Sequence, residues 1–87
     1  MSERTALEEL ITTLKQQRDE LQVKMHLANE EAKEEYNRLT DRINQISDQY
    51  QPVKEASTET AQNVIAALKL AAEEMSVGLS RVWKSLK

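Results

Sequence analysis

The chain of 87 residues has no cysteine and no phenylalanine, and only one each of glycine (Gly78), proline (Pro52), tryptophan (Trp83) and histidine (His26). Without cysteine there are no disulfides, thiolate metal sites or cysteine nucleophiles. One glycine and one proline leave almost no turn chemistry, which excludes a sheet built from several hairpins. No apolar run approaches the roughly 20 residues of a membrane span. Met1-Ser2-Glu3-Arg4 leads into an amphipathic pattern, not into the apolar core of a signal peptide. The expected location is therefore cytoplasmic. The net charge is −3 and no block of like charge exceeds two residues. Phosphate binding needs a basic stripe, so nucleic acid is not expected as a partner.

What remains is Glu, Gln, Lys, Leu and Ala, a composition that favours long helices. From Leu7 to Val53 apolar residues recur at spacings near three and a half: Leu7, Ile11, Leu14, Leu21, Met25, Ala28, Ala32, Tyr36, Leu39, Ile43, Ile46, Tyr50 and Val53. On a helix they form one narrow stripe that no single helix can bury. The fold class is all-α, with long amphipathic helices forming an oligomeric coiled coil or helical bundle and a bend or turn at Pro52. Three segments follow: a heptad helix over 1–50, a Pro-containing break or kink over 51–59, and a wide-faced amphipathic helix over 60–87.

Ser2 is a fair N-cap for the first helix, with Thr5 and Glu8 offering a competing capping box. The heptad is strict from Leu7 to Met25 except at Arg18. There an arginine can lay its stem along the seam and reach a carboxylate on a partner helix. Between Met25 and Tyr36 the spacing becomes three, four, four, an eleven-residue stutter filled by Ala28 and Ala32. Pro52 lacks an amide hydrogen and disfavours helical angles at Gln51. Either the helix kinks and continues as a bent rod, or it stops near Tyr50 and a second helix returns, capped by Ser57 or Thr58. Continuity of the seam through Val53 favours the bent rod. A helix covering most of the chain would span roughly 120 Å at about 1.5 Å per residue.

The last segment differs. Val64, Ile65, Leu68, Ala71, Ala72, Met75, Leu79, Val82, Trp83 and Leu86 fall within an arc of about 120°, broader than a two-stranded seam uses. Leu70 and Val77 lie outside that arc and suggest a second contact surface. Arg81, Lys84 and Lys87 complement the helix dipole at the C-terminal end. Residues 1–50 carry −4 (seven basic, eleven acidic) and residues 51–87 carry +1 (five basic, four acidic).

Chemistry is sparse. His26 with Glu30 makes at most half a metal site, and no other nitrogen or sulfur ligand accompanies it. Glu30, Glu31, Glu34 and Glu35 lie on a solvated face beside Lys33 and Arg38, without a pocket that would drive carboxylate pKa values apart. Serines and threonines lack a partnering base, and no glycine loop could cradle phosphate. No catalytic residue, cofactor or metal is expected.

Glu35-Tyr36, Ala56-Ser57, the Ala66–Ala72 stretch and Trp83 stand in an order that resembles small bacterial coiled-coil proteins. The resemblance implies a bacterial source and a stress-related role without a defined biochemical activity; Pro52 departs from its uninterrupted pattern. The expected function is a non-enzymatic interaction or scaffold protein, acting by helix–helix self-association and by binding another helical protein. The alternative is a membrane-surface protein that lays its C-terminal helix among lipid headgroups.

Overall fold

In the computed structural model, which describes residues 2–86, three α-helices follow one another: α1 (Glu3–Gln22), α2 (Glu30–Tyr50) and α3 (Glu59–Ser85). Side chains from the start of α1 lie beside Gln62 and Ile65, and those from its end lie beside Leu79 and Trp83, so α1 and α3 run in the same direction. Tyr36 and Tyr50 of α2 reach back to Arg18 and Glu8 of α1, so α2 runs opposite to both. The result is an up-down-up bundle measuring 45 × 21 × 16 Å.

Each helix opens on an oxygen-bearing cap that satisfies an otherwise unpaired amide. Ser2 Oγ accepts from the Thr5 amide at 3.2 Å, Asn29 Oδ1 from Ala32 at 2.8 Å and Thr58 Oγ1 from Ala61 at 3.1 Å. Acidic residues occupy the first turn in all three helices, where the dipole favours them. The choice between Ser2 and Thr5 thus falls to Ser2, and that between Ser57 and Thr58 to Thr58.

The heptad helix over 1–50 is two helices, not one. α1 stops at Gln22, and Met25–Leu27 form one 3₁₀ turn closed by Leu27 N–H to Lys24 O at 3.0 Å. Ala28 and Asn29 are extended before α2 begins. The expected stutter is therefore a chain reversal. Asn29 followed by Glu30 and Glu31 is a stronger local instruction than the apolar spacing that runs through it, because a cap and two acids stabilise a fresh N-terminus.

The second connection contains Pro52. α2 ends at Tyr50, turns follow over residues 51–55, and the amides of Val53 and Ala56 bond back to the carbonyls of Tyr50 and Val53 at 3.1 and 3.2 Å. The helix does not continue across Pro52, and the bent rod is replaced by a return into α3. The Arg4 guanidinium donates to the Ala56 carbonyl, tying the start of α1 to this connection.

The core runs the length of the bundle. Leu7, Leu14 and Ile43 are wholly inaccessible, and Ile11, Leu21, Leu39, Ile46, Ile65, Leu68, Ala72, Leu79 and Val82 are buried around them. Full burial of each of the leucine, isoleucine and valine side chains contributes on the order of 2 kcal/mol. Gly78 of α3 sits against Leu39 of α2: a Cβ there would lie 2.6 Å from Leu39 Cδ2 and 3.2 Å from Cδ1. At this glycine the two helices approach so closely that an alanine would require the Leu39 side chain to shift.

Candidate interaction surface

Twelve of the thirteen seam residues lie at the core or beside it, and Ala28 is half-buried in the first connection. Leu7, Ile11, Leu14, Leu21, Ala32, Tyr36, Leu39, Ile43, Ile46 and Tyr50 are buried; Met25 and Val53, in or next to the connections, are half-buried. They are covered by helices of the same chain. On α3, Ile65, Leu68, Ala72, Met75, Leu79 and Val82 are buried, Val64, Ala71 and Leu86 are half-buried, and Trp83 lies at the edge. Periodicity did not mark Gly78, and its role is visible only once Leu39 stands opposite.

Polar contacts cluster where α1 meets α2. The Tyr36 hydroxyl donates to the Arg18 carbonyl at 3.0 Å. Arg18 Nη1 donates to Asn44 Oδ1 at 3.0 Å, while Nη2 lies 3.2 Å from Asp19 Oδ1. The seam arginine thus reaches an amide on a helix of its own chain, in place of the expected carboxylate. The Tyr50 hydroxyl lies 3.5 Å from Glu8 Oε2. Burial raises the Tyr50 pKa above the ordinary phenol value, the Glu8 carboxylate raises it further, and Arg4 opposes both.

The residues weighed for chemistry are placed apart or in solvent. His26 Nδ1 sits 3.0 Å from the carbonyl of Val23, the C-cap residue of α1, a local contact with the backbone three residues earlier. Glu30 pairs with Lys33 at 4.0 Å and Glu35 with Arg38 at 3.4 Å, both one helical turn apart and exposed. Such pairs contribute at most a few tenths of a kcal/mol. Among the described residues, no three His, Asp or Glu side chains converge to hold a metal ion. No helix among them is long and apolar enough to cross a membrane.

What the bundle leaves uncovered is apolar surface in two places. At the end formed by the Val23–Asn29 connection, Val23 is 72% exposed, Leu27 60% and Trp83 48%. Lys24 Nζ lies 5.7 Å from the centroid of the Trp83 ring, a cation–π distance. Trp83 also lines an open groove of about 260 Å³ with Gln17, Glu20, Leu21, Leu79 and Lys84. The Oε1 of Gln17 is buried there without a partner. The second place is the outer side of α3, where Leu70 is 66% and Val77 54% exposed. Sequence spacing had set Leu70 and Val77 apart from the core arc. It gave no sign of Val23 and Leu27, because both fall inside what reads as uninterrupted helix. Lys87, counted with Arg81 and Lys84 as a basic terminus, lies outside the described residues. No protein-family model, curated protein or solved structure matches the chain.

Proposed function

We propose that this chain is a non-enzymatic helical interaction module, acting by association with itself and with other helical proteins. The observation that carries the reading is the exposed apolar surface left after the core is complete. Val23, Leu27, Leu70, Val77 and Trp83 stay largely in water although three helices have closed around the seam. Single exposed apolar residues are ordinary, but two groupings on so small a body offer contact surface. Ser80 and Ser85 line the open grooves, but among the described residues neither hydroxyl is hydrogen-bonded to a basic side chain, and Ser85 Oγ donates to the Val82 carbonyl instead; binding is the chemistry these grooves support.

Membrane-surface binding is the second reading, favoured by Trp83 beside Lys24 at the same end as Val23 and Leu27. Aromatic and basic residues together suit an anionic interface. Protein partners stand ahead of it because the grooves mix acids with bases, Glu20 with Lys84 in the Trp83 groove and Glu31, Glu34 and Glu35 with Arg38 and Arg81 in the neighbouring one, so neither presents the basic surface an anionic interface needs.

Sedimentation equilibrium over a concentration series, alongside flotation with anionic vesicles, tests both. Reversible association without vesicle binding is the expected outcome. A chain that stays monomeric throughout and floats with vesicles would replace the first reading by the second. Trp83 reports on this independently, because no other tryptophan contributes fluorescence.

A further inference from the structure

The outer face of α3 has a charge order that is complementary to itself when two copies run antiparallel. At 100° per residue, Leu70, Glu73, Glu74, Val77, Arg81 and Lys84 fall within an arc of about 100°, opposite the buried face. Val77 is the midpoint. Leu70 lies seven residues before it and Lys84 seven after; Glu73 lies four before and Arg81 four after. A two-fold axis at Val77 therefore sets Val77 against its own copy, Arg81 beside Glu73 and Glu74 of the other copy, and the aliphatic stem of Lys84 along Leu70. The two acids precede the midpoint and the two bases follow it.

Other arrangements of the same stripe lose this match. A parallel pair stacks Glu73 and Glu74 on themselves and Arg81 and Lys84 on themselves. An antiparallel pair centred between Leu70 and Val77 brings the two apolar residues together, but it places Glu73 against Glu74 of the other copy. Like charges across a contact cost affinity, so both are disfavoured. Within one chain, Glu74 and Arg81 form no ion pair among the described residues and both are exposed, although Arg81 also borders the open groove that holds Glu31, Glu34 and Glu35 of α2. Glu73 does hold Lys69 at 3.6 Å, one turn back on the same helix. That exposed pair is weak enough to be shared.

We infer that a second copy of this chain docks on the outer face of α3, antiparallel, about a two-fold axis at Val77. This rests on the self-association reading above and names its surface, orientation and register. An isologous contact of this kind closes at two copies, because each stripe is used up by the other.

The absence of cysteine makes the register directly testable. Val77→Cys should form a disulfide-linked dimer under mild oxidation, since the two positions face each other. Leu70→Cys alone should not, because its two copies would be separated by about 21 Å, fourteen residues at 1.5 Å each. An equimolar mixture of Leu70→Cys with Lys84→Cys should link the two different chains. Efficient self-linking of Leu70→Cys would overturn the antiparallel arrangement. Charge provides the second arm. Glu73→Lys/Glu74→Lys and Arg81→Glu/Lys84→Glu should each weaken the dimer about tenfold or more by placing like charges together, and mixing them should restore association as a heterodimer. Helicity by circular dichroism shows whether each variant still folds. If the natural chain dimerises but both charge variants dimerise equally well, this surface is wrong while self-association stands. If the natural chain is monomeric at every concentration, both fall.

Discussion

Gly78→Ala puts the α2–α3 contact under direct test, because two effects of opposite sign meet at one atom. In the middle of a helix alanine is more stable than glycine by about 1 kcal/mol, so an unconstrained site would gain that amount. Here the new methyl would sit 2.6 Å from Leu39 Cδ2 and 3.2 Å from Cδ1, well inside contact distance. Leu39 is buried, so it cannot swing into solvent to make room. Inserting a methylene into a packed core costs typically 1–3 kcal/mol, or about that much here. The two terms sum to a net loss of about 0–2 kcal/mol. A loss at the upper half of that range lowers the melting temperature by about 4–16 °C in a domain of this size. The sign should reverse where the obstruction is removed. Leu39→Ala alone costs about 2–5 kcal/mol, and in that background Gly78→Ala should recover up to about 1 kcal/mol by propensity and cavity filling. Urea unfolding of the four proteins, followed by far-UV circular dichroism, gives the coupling between the sites. It should be on the order of 1–3 kcal/mol. Stabilisation of about 1 kcal/mol by Gly78→Ala in both backgrounds would refute the close approach of α2 and α3.

Three further outcomes follow from the contacts around the core. Asn29→Ala removes the side chain that receives the Ala32 amide at 2.8 Å and should cost about 1 kcal/mol, whereas Asn29→Asp should be nearly neutral; urea midpoints distinguish them. Arg18→Ala and Asn44→Ala should each destabilise slightly and show a coupling of about 0.5–1.5 kcal/mol in a double-mutant cycle, and zero coupling would mean that the guanidinium spends its time in solvent. Tyr50 titrates at higher pH folded than unfolded, so the folded state holds its proton longer; stability attributable to it is complete below the unfolded value near 10 and is lost as pH rises toward the folded value. Tyr50→Phe should flatten that alkaline decline in urea titrations, and an unchanged decline would show that the phenol is not its source.

The helical class and the two buried faces were legible because heptad and eleven-residue spacings survive whichever chain supplies the neighbour. The first reversal was not. Met25, Ala28 and Ala32 keep the apolar rhythm through it, Met25 packing on the core from within the connection and Ala32 buried just after it, and neither glycine nor proline marks the turn. The instruction lay in Asn29-Glu30-Glu31, which reads as one charged patch among many until an extended Ala28 precedes it. At Pro52 both structures were readable, and seam continuity through Val53 favoured the wrong one, since Val53 packs on the core from within a turn. Of the exposed surface, Leu70 and Val77 were visible as departures from the α3 arc. Val23 and Leu27 required knowledge of where α1 stops.

The different widths of the apolar faces explain why one chain can close this core. α3 packs against both other helices along its length, whereas α1 and α2 touch each other more sparingly. A helix that fills the angle between two neighbours needs a broad apolar arc, and α3 has one of about 120°. The helices it covers can keep narrow seams and let polar groups line their shared edge, as Arg18–Asn44, Tyr36–Arg18 and Tyr50–Glu8 do. A stripe that narrow, read alone, demands a partner; placed beside a broad-faced helix on the same chain, it has one. The self-association proposed above is thereby moved off the heptad seam. It falls to surface the core does not use, and on α3 that is the stripe bearing Leu70 and Val77.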